Sequence, residues 1–177
     1  VHCLLAAIPA LKRQHPNLKG QLAGAGLEAE RLQEAWTALS QGDGVGFFEV
    51  CRELAYISRN PRQAQDVLRP LQAFITNWTA EDAQDAVNAA DCVEFLGHQG
   101  RDEVAALAQR ASVMVLPSVV PEAHPLSVCE ALAAGTLVVG SDRAGIQHVL
   151  SLAEAELSGR SLRANTTPDV FVRDLTE

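Results

Sequence analysis

Two carboxylates, Glu122 and Glu130, stand with seven residues between them in the stretch SVVPEAHPLSVCEALAAGTLVVGSDRAG, residues 118–145. The segment around Glu130, LSVCEALAA, contains no other charge, and Val128, Cys129, Ala131 and Leu132 leave no obvious wet face. A carboxylate in such a helix must find a hydrogen-bond donor or bear a heavy desolvation cost. Glu130 lies about one and a half turns into the helix at ~1.5 Å per residue. Its side chain leans toward the helix N-terminus and the loop before it. A ligand diol such as a ribose would satisfy both oxygens, and so would backbone or arginine donors. Glu122 comes just before that N-terminus, where free amides and the helix dipole attract anions. It either caps the helix or accepts a sugar hydroxyl, while the amides of Ala123, His124 and Leu126 hold a phosphate or sugar oxygen. Pro125 has no N–H to give.

The elements that must position these residues alternate in type. Residues 93–96 (VEFL) read as a strand, and 102–110 as a helix with Val104, Leu107 and Ala108 on one face. Residues 112–117 (SVMVLP) suit a strand buried on both faces. A helix over 126–134 ends at Gly135, a common left-handed cap. Residues 137–140 (LVVG) form another strand, and 145–152 another helix. This order predicts an α/β fold with a parallel sheet and right-handed crossovers. Ligands of such sheets bind at the carboxyl ends of the strands. Gly97 and His98, the 118–125 loop and the 141–145 loop therefore share one rim.

Upstream, residues 1–11 read as an apolar helix and 18–23 as a short strand ending in the turn Gly24-Ala25-Gly26. Residues 27–92 are helix-rich and show no clear strand. Leu27, Leu32, Ala35, Trp36 and Leu39 recur with helical spacing over 27–41. Gly42, Gly44 and Gly46 break that helix, and further helices follow at 47–57 and 65–78, with Pro61 and Pro70 as punctuation. Thr79 and Asp82 form a capping-box pattern for a helix over 79–90. The 27–92 zone holds 11 acidic and 5 basic residues, which marks it as a solvated helical insertion.

Bulk properties narrow the function. A chain of 177 residues can bury one sizeable core. Its net charge of −8 argues against nucleic acid or anionic lipid as the main partner. A sugar-phosphate pocket needs only a few local cations. Cys3, Cys51, Cys92 and Cys129 are widely spaced without a CxxC pair, which favours free thiols in a reducing compartment. No basic-then-apolar leader and no apolar run of roughly 18 residues is present, so the expectation is cytoplasmic. The first helix starts without a capping residue, and the last residues fall in a helix opened by Pro168, so both ends read as cuts in a longer protein. His98, His124 and His148 share the rim but lack short ligand spacing, so no metal is expected. Ser118 and Ser127 lack a Gly-x-Ser-x-Gly elbow.

With these residues set out, the chain resembles the donor-binding domain of family 4 retaining glycosyltransferases, which have two Rossmann-like domains (GT-B). That signature runs strand, Pro-Ser, Glu-Gly-Phe-Gly-Leu, three residues, Glu-Ala, Gly-x-Pro-Val-Val, then a Gly-Gly loop. Here it stands as Pro117-Ser118, Glu122 to Leu126, Glu130-Ala131, Gly135 to Val139 and Ala144-Gly145. The likeness covers 93–150 closely and 1–26 more loosely, and it is absent from 27–92. It implies a Rossmann-like three-layer sheet over residues 1–177, interrupted by the 27–92 insertion. By this resemblance Glu130 would bind the ribose hydroxyls, and Leu96, Gly97 and His98 would flank the base with Ser118 nearby. Glu122 would be the catalytic contact to the donor sugar, and Ala123, His124, Pro125 and Leu126 would line the sugar and distal phosphate. The implied reaction moves a sugar from a UDP- or GDP-linked donor to an acceptor hydroxyl with retention, without metal or other cofactor. Fixed amides and cations would stabilise the leaving phosphate. The acceptor, a saccharide or lipid-linked molecule, would be bound by a second, N-terminal domain, and the full-length protein could lie against a membrane surface.

Departures from the signature open a rival reading. Ala123-His124-Pro125 replaces Gly-Phe-Gly and removes two flexible glycines beside the sugar. Ala144 replaces the first glycine of the Gly-Gly loop, and His148 stands where the family has Glu. The alternative is a degenerate, non-catalytic nucleotide-sugar-binding or assembly module. A phosphorylase on the same architecture would need a cofactor-lysine signature, and only Lys12 and Lys19 are present.

Overall fold

The short apolar runs become strands because their side chains alternate between two layers of helices. The computed structural model describes residues 1–58, 61–118, 123–156 and 161–164. In chain order they form α1 (His2–Gln14), β1 (Gly20–Ala23), α2 (Leu27–Ser40), α3 (Gly44–Ser58), α4 (Pro61–Thr76) and α5 (Ala80–Asn88). There follow β2 (Val93–Gly97), α6 (Arg101–Arg110), β3 (Val113–Leu116), α7 (Leu126–Ala133), β4 (Leu137–Ser141), α8 (Ala144–Glu156) and β5 (Arg163–Ala164).

Among the described residues every strand pairing is parallel, as the alternation predicts. In β3 and β4, Met114, Leu116 and Val138 pack with Val128 and Ala131 of α7 and with Ile146 and Leu150 of α8. Val115 and Val139 point the other way, onto Ala7 and Leu11 of α1. Helices on both sides leave little room for polar alternation in VMVL and LVVG. Full burial is reached only in β4 after Leu137; Val113 and Leu137 at the strand starts are exposed, and the rest of β3 is half-buried. The result is the three-layer α/β arrangement of a Rossmann-like half. Gly140 makes the packing of α8 possible. A Cβ there would lie 2.7 Å from the Ile146 side chain and 2.9 Å from that of Leu150.

One expectation is corrected. Sequence order suggested that β2, β3 and β4 belong to one parallel sheet. Instead β2 pairs with β1, and β3, β4 and β5 form a second sheet in that order. Strand β2 pairs with β1, with Gly20 opposite Val93 and Leu22 opposite Phe95. The crossover through α6 carries the chain from one sheet to the other. The two are tied by α1, whose Cys3, Leu5, Ala6 and Ile8 enter the core under α2, α3 and α5 while Ala7 and Leu11 cover β4. A helix apolar on all sides is a buried helix.

The helical zone follows its pattern with two local differences. Helix α3 begins at Gly44, earlier than its apolar spacing suggests, because the Asp43 carboxylate accepts the Gly46 N–H at 2.7 Å. Pro70 does not punctuate α4 but lies inside it. It cannot donate to the carbonyl one turn back, a loss of about 3 kcal/mol. Full burial of Leu71 and near-full burial of Leu68 oppose that loss, at about 1.5–3 kcal/mol each. Pro61 opens the helix at its first position, where a missing N–H costs nothing. The capping box forms as read, with the Asp82 N–H donating to Thr79 Oγ1 at 3.1 Å and the Thr79 N–H to Asp82 Oδ2 at 2.8 Å. Cys3, Cys51 and Cys92 are buried free thiols. Burial pushes Cys3 up to about 11 and Cys51 up to about 12. Among the described residues no helix is long and apolar enough to cross a membrane. The terminal helix expected after Pro168 lies outside the described residues.

Strand β5 is too short to be read from sequence and is held by a side chain. Glu154 of α8 accepts the Leu162 N–H at 2.7 Å and pairs with Arg163 at 2.9 Å. Burial alone would raise the Glu154 carboxyl, but the bonds from Arg163 and Leu162 outweigh it and hold the group below its ordinary 4.5. A carboxyl lowered by folding stabilises the chain above its unfolded pKa, and that contribution is lost as pH falls through the lowered value. Glu154→Gln is therefore expected to lower the melting temperature at neutral pH and to flatten its decline below about pH 4.5. Thermal melts across this range check it, and parallel curves for parent and variant would refute the anchoring role.

Candidate functional site

The carboxyl ends of the strands carry the residues singled out from the sequence. Strand β2 finishes at Gly97, with φ +69°, and its carbonyl accepts the Gly24 N–H at 2.8 Å. The Gln99 side chain donates to the carbonyls of Leu96 at 2.8 Å and His98 at 3.1 Å, which folds the loop back before α6 begins. Leu96 and Gly97 are half-buried, while the His98 side chain is exposed. Strand β3 leads into buried Pro117 and half-buried Ser118. Glu122 lies outside the described residues.

Beyond it, Ala123 and His124 are exposed, and Pro125 is fully buried directly before α7. The Leu126 N–H donates to the His124 carbonyl at 3.0 Å. That amide, one of three expected to face a ligand, already closes a turn.

The dry environment expected for Glu130 is overturned. Its side chain is 51% exposed. Helix α7 does have a wet face, and Leu126, Glu130 and Ala133 lie on it at helical spacing. Val128 and Ala131 take the opposite, fully covered side against β4. Two of the three solvent-facing positions are apolar, so composition alone concealed them. No desolvation penalty forces Glu130 to find a partner.

Its neighbour is Arg101, the first residue of α6, whose Nη2 lies 3.6 Å from Glu130 Oε1. The sequence had given Arg101 no role of its own. The pair brings the α7 carboxylate beside the start of α6, immediately after the Gly97–His98 loop. An exposed pair of this kind contributes about 0–1 kcal/mol, so it does not lock the carboxylate.

The third part of the rim is the loop from β4 into α8. Ser141 is fully buried, and its hydroxyl has no hydrogen-bond partner among the described residues. Ala144 adopts φ +45°, in the left-handed region that a β-carbon disfavours. Among the described residues no three His, Cys, Asp or Glu side chains gather as metal ligands, and His98, His124 and His148 are each exposed.

Residues 78–177 match the family described as Glycosyl transferases group 1, which is more than half of the chain. The chain belongs to the group 1 glycosyltransferase family. No curated protein and no solved structure matches it. The matched part of the glycosyltransferase contains the whole rim, from β2 through α8. It begins at Trp78 and so takes in α5, which the charge pattern groups with the preceding helices. A glycosyltransferase must hold a sugar donor and an acceptor, and an open rim of loops at strand ends is the place such a sheet offers.

Ala144 offers a direct test of the rim's backbone. A left-handed alanine costs roughly 1–2 kcal/mol, whereas glycine gives up about 0.5–1 kcal/mol of chain entropy. Ala144→Gly is expected to stabilise the chain by about 0.5–1 kcal/mol in urea denaturation. A lowered midpoint would show that the conformation is not strained.

Proposed function

We propose that this chain is the donor-binding half of a retaining, family 4-like glycosyltransferase that takes a UDP- or GDP-linked sugar. The observation that carries the reading is the open carboxylate of Glu130 on the solvent face of α7, beside the loop that ends β2. A carboxylate held only by a weak exposed pair is free to accept two vicinal hydroxyls, and a ribose supplies them. With the ribose there, the base lies toward Leu96, Gly97 and His98 and the diphosphate toward Ser118 and the residues before α7. Glu122 would then contact the transferred sugar, with Ala123, His124, Pro125 and Leu126 around it. The leaving diphosphate gains charge during transfer, and donors fixed near it lower the barrier. Nothing in this scheme needs a glycosidase-type carboxylate pair, because Glu130 serves the ribose. No metal or other cofactor enters it.

In this reading residues 1–177 form one donor-binding domain with an insertion over 27–92, and the acceptor is a saccharide or lipid-linked molecule held by a second domain. The place of action is the cytoplasm, including the cytoplasmic face of a membrane. One observation favours a second reading, in which the domain is a degenerate binding or assembly module. Ala123-His124-Pro125 offers few backbone donors, and the Leu126 amide is already engaged.

Calorimetry with UDP, GDP and ADP separates the two. At least one nucleotide is expected to bind, and Glu130→Ala is expected to weaken it by roughly 1–3 kcal/mol, as for a lost charged hydrogen bond. Binding that survives the substitution unchanged would remove Glu130 from the ribose. Failure of all three nucleotides to bind would favour the module.

A further inference from the structure

The corner where β2 runs into α6 offers a ligand hydrogen-bond donors and few acceptors. The Gly97 carbonyl accepts the Gly24 N–H, and the Leu96 and His98 carbonyls accept the Gln99 side chain. The Gly100 carbonyl is taken in turn by the Val104 N–H at 3.0 Å, in the first turn of α6. These acceptors are already engaged by the chain itself. Arg101 follows directly, with its side chain 90% exposed, and among the described residues its one charge contact is Glu130 at 3.6 Å. That distance is too long for a hydrogen bond, so the guanidinium keeps its N–H groups for a ligand.

A guanidinium carries donors only, set in a rigid planar fork. It bonds a carbonyl oxygen well and an amino group badly, since two donors then face each other. The same fork forms two bonds to O6 and N7 of guanine, the commonest specific contact of an arginine with a base. Position decides which part of a ligand it meets. Arg101 lies just beyond the Gly97–His98 loop and beside the carboxylate assigned to the ribose, and a nucleobase is bonded directly to that sugar. The Glu103 carboxylate folds back over Gly100, so an anionic phosphate is repelled from the start of α6 and a neutral base is not.

We infer that Arg101 is the specificity residue for the base of the donor, and that it selects a keto edge over an amino edge. This role rests on the donor-binding reading, in which Glu130 holds the ribose. Uracil and guanine present a carbonyl oxygen to the guanidinium, O4 in one and O6 in the other. Cytosine and adenine carry an exocyclic amino group at the same place. That group meets the guanidinium as a second donor and finds the loop carbonyls engaged.

Calorimetry with UDP and CDP isolates this edge, because the two differ only at the 4-position and the ring nitrogen next to it. GDP and ADP repeat the comparison among purines. In at least one pair the keto nucleotide is expected to bind about tenfold more tightly, a difference of 1.4 kcal/mol. Arg101→Ala is expected to bring that ratio to about one, and Arg101→Lys, which keeps a charged donor, to preserve part of it. Glu130→Ala is expected to weaken both members of the pair alike and to leave the ratio in place. A general disturbance of the fold would also weaken both alike, so the ratio reports the role and the affinity alone does not. A ratio near one in the parent chain, or one that survives Arg101→Ala, would overturn base reading while leaving donor binding intact. Failure of every nucleotide to bind would remove donor binding itself, and the role of Arg101 with it.

Discussion

The burial of α1 on opposing sides is the constraint on which the structure rests. Leu5, Ala6, Ala7 and Ile8 are consecutive and each at most 3% exposed, which is possible only if layers close on the helix all round. One side closes the helical zone through Cys3, Leu5 and Ile8, and the other covers Val139 and Ala164. Among the described residues the two sheets share no strand pairing, so their relative placement depends on this helix. Fully burying a leucine or isoleucine such as Leu5 or Ile8 is worth about 1.5–3 kcal/mol, and the alanines between them let the layers close in.

From that tie the rim follows. With β3 and β4 covered by α1 on one face, α7 and α8 must take the other, and the loops that lead into them meet at the strand ends. Helix α7 then presents Leu126, Glu130 and Ala133 outward. A helix of eight residues, with Leu126 63% exposed, is poorly finished as a free surface. The same geometry sets Glu130 next to Arg101, joining the α7 face to the loop after β2.

Much of this was legible in the chain because period and punctuation carry strong physical signals. Runs such as VMVL and LVVG read as strands, although β3 is only half-buried, and Gly135, with φ +82°, ends α7 as its position suggested. Thr79 and Asp82 gave their helix start through short-range bonds. The misreadings have a common cause, which is long-range packing. Pro70 stays within α4 because Leu68 and Leu71 are buried by partners distant in sequence. Strand β5 exists because Glu154 reaches across to it. Glu130 read as buried because its apolar neighbours Leu126 and Ala133 face water, and no local pattern distinguishes an apolar residue in solvent from one in a core. The strand pairing was equally hidden, since neighbours in sequence need not be neighbours in a sheet.

The missing side chain at Gly140 has a mechanical consequence. Because nothing separates β4 from Ile146 and Leu150 there, strand and helix are in close contact and have little freedom to slide. A push on the α8 N-terminus at Ala144 is thus delivered to β4, and through Glu154 to β5, as displacement of one stiff unit. The loop at Ser141 works less like a hinged flap than like the fixed jaw of a vice.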